Sequence, residues 1–130
     1  MKSISTMVMW AVAILGLAGH SGSFARAAQA PEKEWTLMVF LNGDNNLDSF
    51  GAADMIEMQA VGSNDNMNIV VLRDTSDEKV SSKIYYIEKG GMKVVKDFGS
   101  NIDMGNWRNL VEFFKFAKDQ YPARHYLLDV

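Results

Sequence analysis

Two short apolar runs, separated by a segment of helix length, constrain the fold of this chain more than any other feature. Residues 35–41 (WTLMVFL) contain one polar side chain, Thr36, and residues 68–72 (NIVVL) contain only Asn68. Each run is too short for a typical helix and gives way to turn formers, NGDNN after the first and RDT after the second. Such runs predict strands buried on both faces, as in a parallel sheet. The segment between them, residues 47–61, predicts a helix. Asn45 or Asn46 offers a side-chain oxygen to the free N–H groups of its first turn, and Gly62 ends it. Its stripe is uneven: Leu47, Phe50, Met58 and Val61 share a face, but Asp54 and Glu57 fall within it. Strand, helix, strand in this order is a βαβ unit with parallel strands and a right-handed crossover.

The remaining elements extend that unit. Residues 83–88 (KIYYIE) and 92–97 (MKVVKD) alternate on either side of Lys89-Gly90-Gly91, which predicts a hairpin at the margin of the sheet, one face wet. Residues 106–121 form a second helix, with Trp107, Leu110, Val111, Phe114, Ala117 and Tyr121 at helical spacing and Phe113 and Phe116 widening the stripe. Pro122 stops it, and residues 125–130 (HYLLDV) open a third strand. The predicted order is β-α-β-hairpin-α-β, an incomplete open α/β sandwich with mainly parallel strands. Its second helix has too little chain left to cover it.

The first residues stand apart from this fold. Lys2 begins a short basic start, residues 7–18 (MVMWAVAILGLA) are apolar and uncharged, and Ala-x-Ala frames end at Ala27 and Ala30. That layout is a secretory signal peptide. Its apolar core falls short of the roughly 20 residues that span a bilayer, although an uncleaved anchor is the competing reading. Cleavage after Ala30 would leave Pro31 at the new terminus, so Ala27 is the favoured site. The domains expected are therefore a signal peptide over 1–27, a polar lead-in over 28–34 and a folded unit over 35–130. The expected location is secreted or periplasmic, with no membrane association after cleavage.

Charge and side-chain inventory exclude several chemistries. Removing residues 1–27 takes away Lys2 and Arg26 but no acid, leaving 11 basic side chains against 16 acidic ones. No basic block survives, so nucleic acid is not an expected partner. With no cysteine in 130 residues, a thiol nucleophile and a thiolate metal site are excluded from this chain. The only histidines are His20 and His125, too few for a zinc site. Gly90-Gly91 lacks the strand-before, helix-after context of a phosphate loop.

Ligands of open parallel sheets bind at the carboxyl ends of the strands. Here those ends carry Asp44 and Asp74, which are the candidate substrate-binding residues: together they would form an acidic patch for a basic side chain. The competing reading makes them a turn aspartate and a neighbour of Arg73. Asp44, Asn46 and Asp48 alternate like the first half of a calcium loop, but Ser49 replaces the required glycine and Met55 the bidentate glutamate. A capped turn is the better reading, with no metal and no cofactor evident. For Asp54 and Glu57, capping of a neighbouring loop or pairing with Arg73 or Lys79 is expected ahead of acid–base work. His125 is expected to be structural.

Several segments together resemble the opening of the clostripain family of cysteine peptidases. They are residues 35–41, DNNL at 44–47, DMIEM at 54–58, VGS at 61–63, NIVV at 68–71, NIDMG at 101–105 and YPARHY at 121–126. The resemblance covers about residues 35–130. It implies a caspase-like three-layer α/β/α sandwich and a His/Cys dyad in which imidazole helps a thiolate attack a peptide carbonyl. In that family the catalytic histidine follows the strand that matches residues 126–130, and the cysteine lies further on, so no catalytic residue carries over to this chain. Arginine or lysine preference, calcium dependence and peptide or protein substrates are implied for a full-length relative. The expectation is an amino-terminal fragment, inactive and marginally stable alone, whose missing carboxyl-terminal part is a possible separate-chain partner. The alternative is an exported, non-catalytic binding module on the same scaffold.

Overall fold

The computed structural model describes residues 30–130; the signal-peptide assignment and its cleavage site lie outside the described residues. The elements are β1 (Lys33–Leu41), α1 (Asp48–Val61), β2 (Met67–Arg73), β3 (Lys83–Glu88), β4 (Gly91–Asp97), α2 (Trp107–Gln120) and β5 (Ala123–Asp129). They build one five-stranded sheet in the order β4-β3-β2-β1-β5. β1 runs parallel to both β2 and β5, while β2-β3 and β3-β4 are antiparallel. The parallel βαβ unit, the marginal hairpin and the late third strand are all as the sequence predicts.

Period-two alternation assigns each strand residue to a helix layer. Met38, Phe40, Val70, Leu72 and Ile84 form one cluster with Phe113 and Ala117 of α2. Ile69, Val71 and Ile87 form the other with Met55 of α1, joined by the half-buried Leu37, Val39 and Leu41. The two helices therefore cover opposite faces, giving three layers. Below the α2 layer lies a polar ladder: Thr36 Oγ1 donates to the Tyr121 carbonyl at 2.7 Å, Asn68 Nδ2 to Thr36 Oγ1 at 3.1 Å, and Tyr86 OH to Asn68 Oδ1 at 3.2 Å. This ladder explains how the two polar residues of the apolar runs are buried at little cost.

α1 buries a face other than the one predicted, whereas α2 packs Leu110, Phe114, Ala117 and Tyr121 of its predicted stripe. In α1 the sheet-facing residues are Gly51 and Met55, with Met58 half-buried. Leu47, Phe50 and Val61 are exposed. Gly51 packs against Leu41, whose side chain a Cβ there would meet at an ordinary contact distance of 3.4 Å. The cap also differs: Leu47 occupies the N-cap position without a side-chain bond, and Asn45 Oδ1 accepts from the Leu47 N–H at 2.8 Å one residue earlier. In α2, Phe113 is the centre of the buried face rather than its flank, and Trp107 is exposed.

Nor is the second helix left uncovered. Phe98, Ile102 and Met104 fold back against the α2 cluster. The open apolar surface lies instead on the α1 side, beside the edge strand β5, because α1 sits over β2 and β3 and leaves β1 and β5 half bare. There Leu127 stays 49% exposed, so β1 is fully buried on one face only.

Candidate functional site

The carboxyl ends of β1 and β2 carry a small polar cleft. Its lining includes Asn42, Asp44, Asp74 and Asp103, and it encloses about 150 Å³. The cleft thus brings together Asp44 and Asp74, the two residues singled out from the sequence. Its formation begins with the parallel ladder, which runs one step past Arg73 because the Asp74 N–H donates to the Leu41 carbonyl at 3.1 Å. Gly43 then crosses the Asp74 backbone so closely that a Cβ would lie 2.4 Å from the Asp74 carbonyl oxygen. Only glycine permits that crossing.

Asp74 is buried to 1% exposure. Its carboxylate accepts from the Ser82 hydroxyl at 2.8 Å, and that hydroxyl in turn accepts from the Ile102 N–H at 2.9 Å. Among the described residues no cation pairs with Asp74; Arg73, its chain neighbour, turns to Asp48. A buried carboxylate held by one neutral hydroxyl gains from any cation that reaches it. Asp44 and Asp103 are exposed at the mouth. The Asp103 carboxylate accepts from the Gly105 N–H at 2.9 Å.

Asp48 ties the two strand-end loops together. Arg73 Nη2 donates to its Oδ1 at 2.7 Å, and the Ser76 hydroxyl donates to its Oδ2 at 2.9 Å. The Arg73 hydrogen bond, followed by the one from Ser76, holds the Asp48 carboxyl below its ordinary 3.8. The pairing of Asp54 or Glu57 with Arg73 therefore fails, since Arg73 is already engaged. Asp48 faces Arg73 while Asp44 borders the cleft, and among the described residues no three His, Cys, Asp or Glu side chains converge on a metal position.

His125 lies elsewhere. It pairs in register with Trp35, its ring tilted by 34° against the indole at 4.8 Å between centroids, with Nε2 3.4 Å from Glu34 Oε1. The cleft begins beyond Leu41, six residues further along the same strand and so roughly 20 Å away. His125 cannot serve chemistry at the cleft.

Sequence reasoning missed Ser82 and Asp103. Asp103 enters through the return of residues 98–105 over the strand ends, a tertiary event with no local signature, and Ser82 stands just ahead of β3, where its hydroxyl meets that return at the Ile102 N–H. Asp48 had a signal, an acid in the first turn of a helix, but its partner lies across the sheet.

A sequence profile described as the clostripain family matches residues 39–129. Solved structures share the fold. A secreted C11 cysteine protease from Bacteroides thetaiotaomicron, in complex with an irreversible peptide inhibitor, is 25% identical with a TM-score of 0.61, over 74% of this chain and 28% of that one. An inactive zymogen C11 protease from Parabacteroides distasonis is 19% identical with a TM-score of 0.62, over 75% and 30%. A B. fragilis cysteine protease is 19% identical with a TM-score of 0.62, over 74% and 85%. The chain thus spans less than a third of the length of two of these three. No curated protein sequence matches.

Proposed function

Because this chain belongs to the clostripain family, we propose that it is the amino-terminal part of the peptidase domain of an exported cysteine endopeptidase that cleaves after arginine or lysine. The chain contributes the sheet and the acidic cleft, and the thiol comes from polypeptide outside these 130 residues, which hold no cysteine. By itself the chain is catalytically silent. Export rests on the leader-like residues 1–27 and on the description of one structural relative as secreted.

The observation that carries the substrate reading is buried Asp74, placed with Asp44 at the carboxyl ends of β1 and β2. A guanidinium or ammonium entering the cleft would meet one desolvated carboxylate and one exposed carboxylate, a charge-assisted arrangement.

The test joins the chain to the thiol-bearing polypeptide encoded after or beside it, found by reading the DNA beyond codon 130 in three frames. The assembled protein should cleave arginyl and lysyl reporter peptides and be blocked by a thiol alkylator. Asp74→Asn should raise KM for the arginyl reporter by about 10- to 100-fold, the equivalent of one charge-assisted hydrogen bond. A citrulline reporter of the same shape should be nearly unaffected. Equal losses on both reporters would make Asp74 a folding residue only.

The cleft itself favours a second reading, because it is formed without the thiol segment: a binding module for cationic ligands. Binding of an arginyl peptide to the chain alone, lost in Asp74→Asn, together with no coding sequence for a thiol segment, would select it.

A further inference from the structure

Trp107 begins the apolar stripe of α2 and yet stays 63% exposed. Its stripe neighbours three and seven residues on, Leu110 and Phe114, pack against the sheet cluster, so the indole springs from the sheet-facing side of the helix. The strands end before they reach it. α2 leads into β5, and β5 is parallel to β1, so α2 runs opposite to both strands. Phe113 sits beside Phe40 of β1, with 6.2 Å between ring centroids. From Phe113 back to Trp107 the helix rises about 9 Å, the length of about three strand residues. That step carries Trp107 from the level of Phe40 to that of Gly43, between Asn42 and Asp44 of the cleft wall. The turn between the cleft and α2 is tied as well. The Asp103 carbonyl accepts from the Asn106 N–H at 3.1 Å and from Asn109 Nδ2 at 2.8 Å. Cleft-lining Asp103, Met104 and Gly105 are thereby held against the first turn of α2.

We infer that Trp107 is an outer subsite of the acidic cleft, where its indole packs against a bulky apolar side chain next to the basic residue of a bound peptide. The inference rests on the reading of the cleft as the seat of that basic residue. The ring itself sets the chemistry of the neighbour. The Arg108 guanidinium lies 4.8 Å from the indole centroid and occupies one face with a cation. The other face is left to a neutral group, and an aromatic or large aliphatic side chain gains there by area burial and ring packing. Reach is short. The Cα atoms of Gly105, on the cleft wall, and Trp107 are two residues apart, at most about 7.6 Å, which the side chain of an adjacent peptide residue spans. The ligand class is therefore narrower than a basic peptide: arginine or lysine beside phenylalanine, tyrosine, tryptophan, leucine or methionine.

The experiment titrates the 130-residue chain into short, fluorescently labelled arginyl peptides and reads anisotropy. The reference peptide has arginine at its centre among glycines. Phenylalanine stands before the arginine in a second peptide and after it in a third, so that either chain direction is read. One of the phenylalanine peptides should bind about 3- to 10-fold more tightly than the reference. Trp107→Ala should bring the two within about twofold of each other, and Trp107→Phe should keep most of the preference, with circular dichroism checking the fold. A preference absent from the unsubstituted chain, or one that survives in Trp107→Ala, would overturn the inference. Asp74→Asn and citrulline versions of the peptides read the cleft separately. Reference-peptide binding that Asp74→Asn abolishes, with no gain from phenylalanine, would keep the cationic cleft and strike the subsite. A Trp107-dependent gain indifferent to Asp74→Asn and to citrulline would strike the cationic cleft and leave Trp107 as an apolar contact outside it. No binding of any peptide would overturn both.

Discussion

Replacing Gly62 with alanine should remove a large share of this chain's folding stability. Gly62 leaves α1 at φ 67° and ψ 169°, a region open essentially to glycine and costing other residues about 1–3 kcal/mol. The space is closed as well. A Cβ would lie 2.2 Å from the Lys89 nitrogen and 2.6 Å from the Glu88 carbonyl carbon. These are backbone atoms, so no rotamer change relieves the clash. Moving the hairpin away breaks two hydrogen bonds that dock α1 onto it, Ser63 N–H to the Ile87 carbonyl at 2.9 Å and Gly90 N–H to the Gln59 carbonyl at 2.8 Å. Each such bond is worth about 1 kcal/mol net, bringing the expected loss to about 3–5 kcal/mol. Against a domain stability of about 5–15 kcal/mol, that removes a large share. Gly90→Ala is the control: its φ is also positive, at 76°, but nothing lies within 4 Å of the new methyl. It should lose about 1 kcal/mol, the left-handed term alone. Equilibrium urea unfolding of both variants, followed by far-ultraviolet circular dichroism, reads the difference. If the two variants lost the same stability, the contact of α1 with the hairpin turn would be refuted.

Three further predictions follow from the same contacts. Gly43→Ala should force the strand ends apart against the Asp74 carbonyl and cost about 1–3 kcal/mol as overpacking, seen as a lower urea midpoint. Phe113→Ala removes the largest fully buried side chain and should cost about 3–5 kcal/mol, or a melting temperature lower by more than about 12 °C in a domain of this size. Arg73 holds the Asp48 carboxyl below its ordinary 3.8, so the pair's stabilisation is complete above pH 3.8 and is lost as pH falls through the lower folded value. Asp48→Asn should accordingly have a lower urea midpoint than the parent near neutral pH, and the gap should close as pH drops below 3.8. A gap independent of pH would mean that the charge is not what Asp48 contributes.

The sequence disclosed the elements better than their orientation. Residues 35–41 and 68–72 announced parallel strands because burial on a sheet leaves no room for alternation, and Gly90-Gly91 announced the hairpin because turn chemistry is local. The rotation of α1 was not legible. Its apolar side chains suggested one face, but Gly51 and Met55 of another are the buried ones, and Asp54 and Glu57 line a concavity beside Leu37, Val39 and Leu41. The exposed apolar surface was anticipated on the wrong helix, since the loop carrying Phe98, Ile102 and Met104 folds back over α2 through contacts no local pattern encodes. At the strand ends, position alone singled out Asp44 and Asp74. Ser82, which holds Asp74, stands just ahead of β3, and Asp103, which lines the cleft, comes from the loop before α2.

A peptide-cleavage assay on the purified chain, repeated after joining it to its thiol-bearing segment, bears most directly on the account. Arginyl and lysyl reporters should stay intact with the chain alone and be cut, in an alkylator-sensitive reaction, only once the segment is present. Turnover by the purified chain alone would contradict the claim that the reactive sulfur comes from outside it.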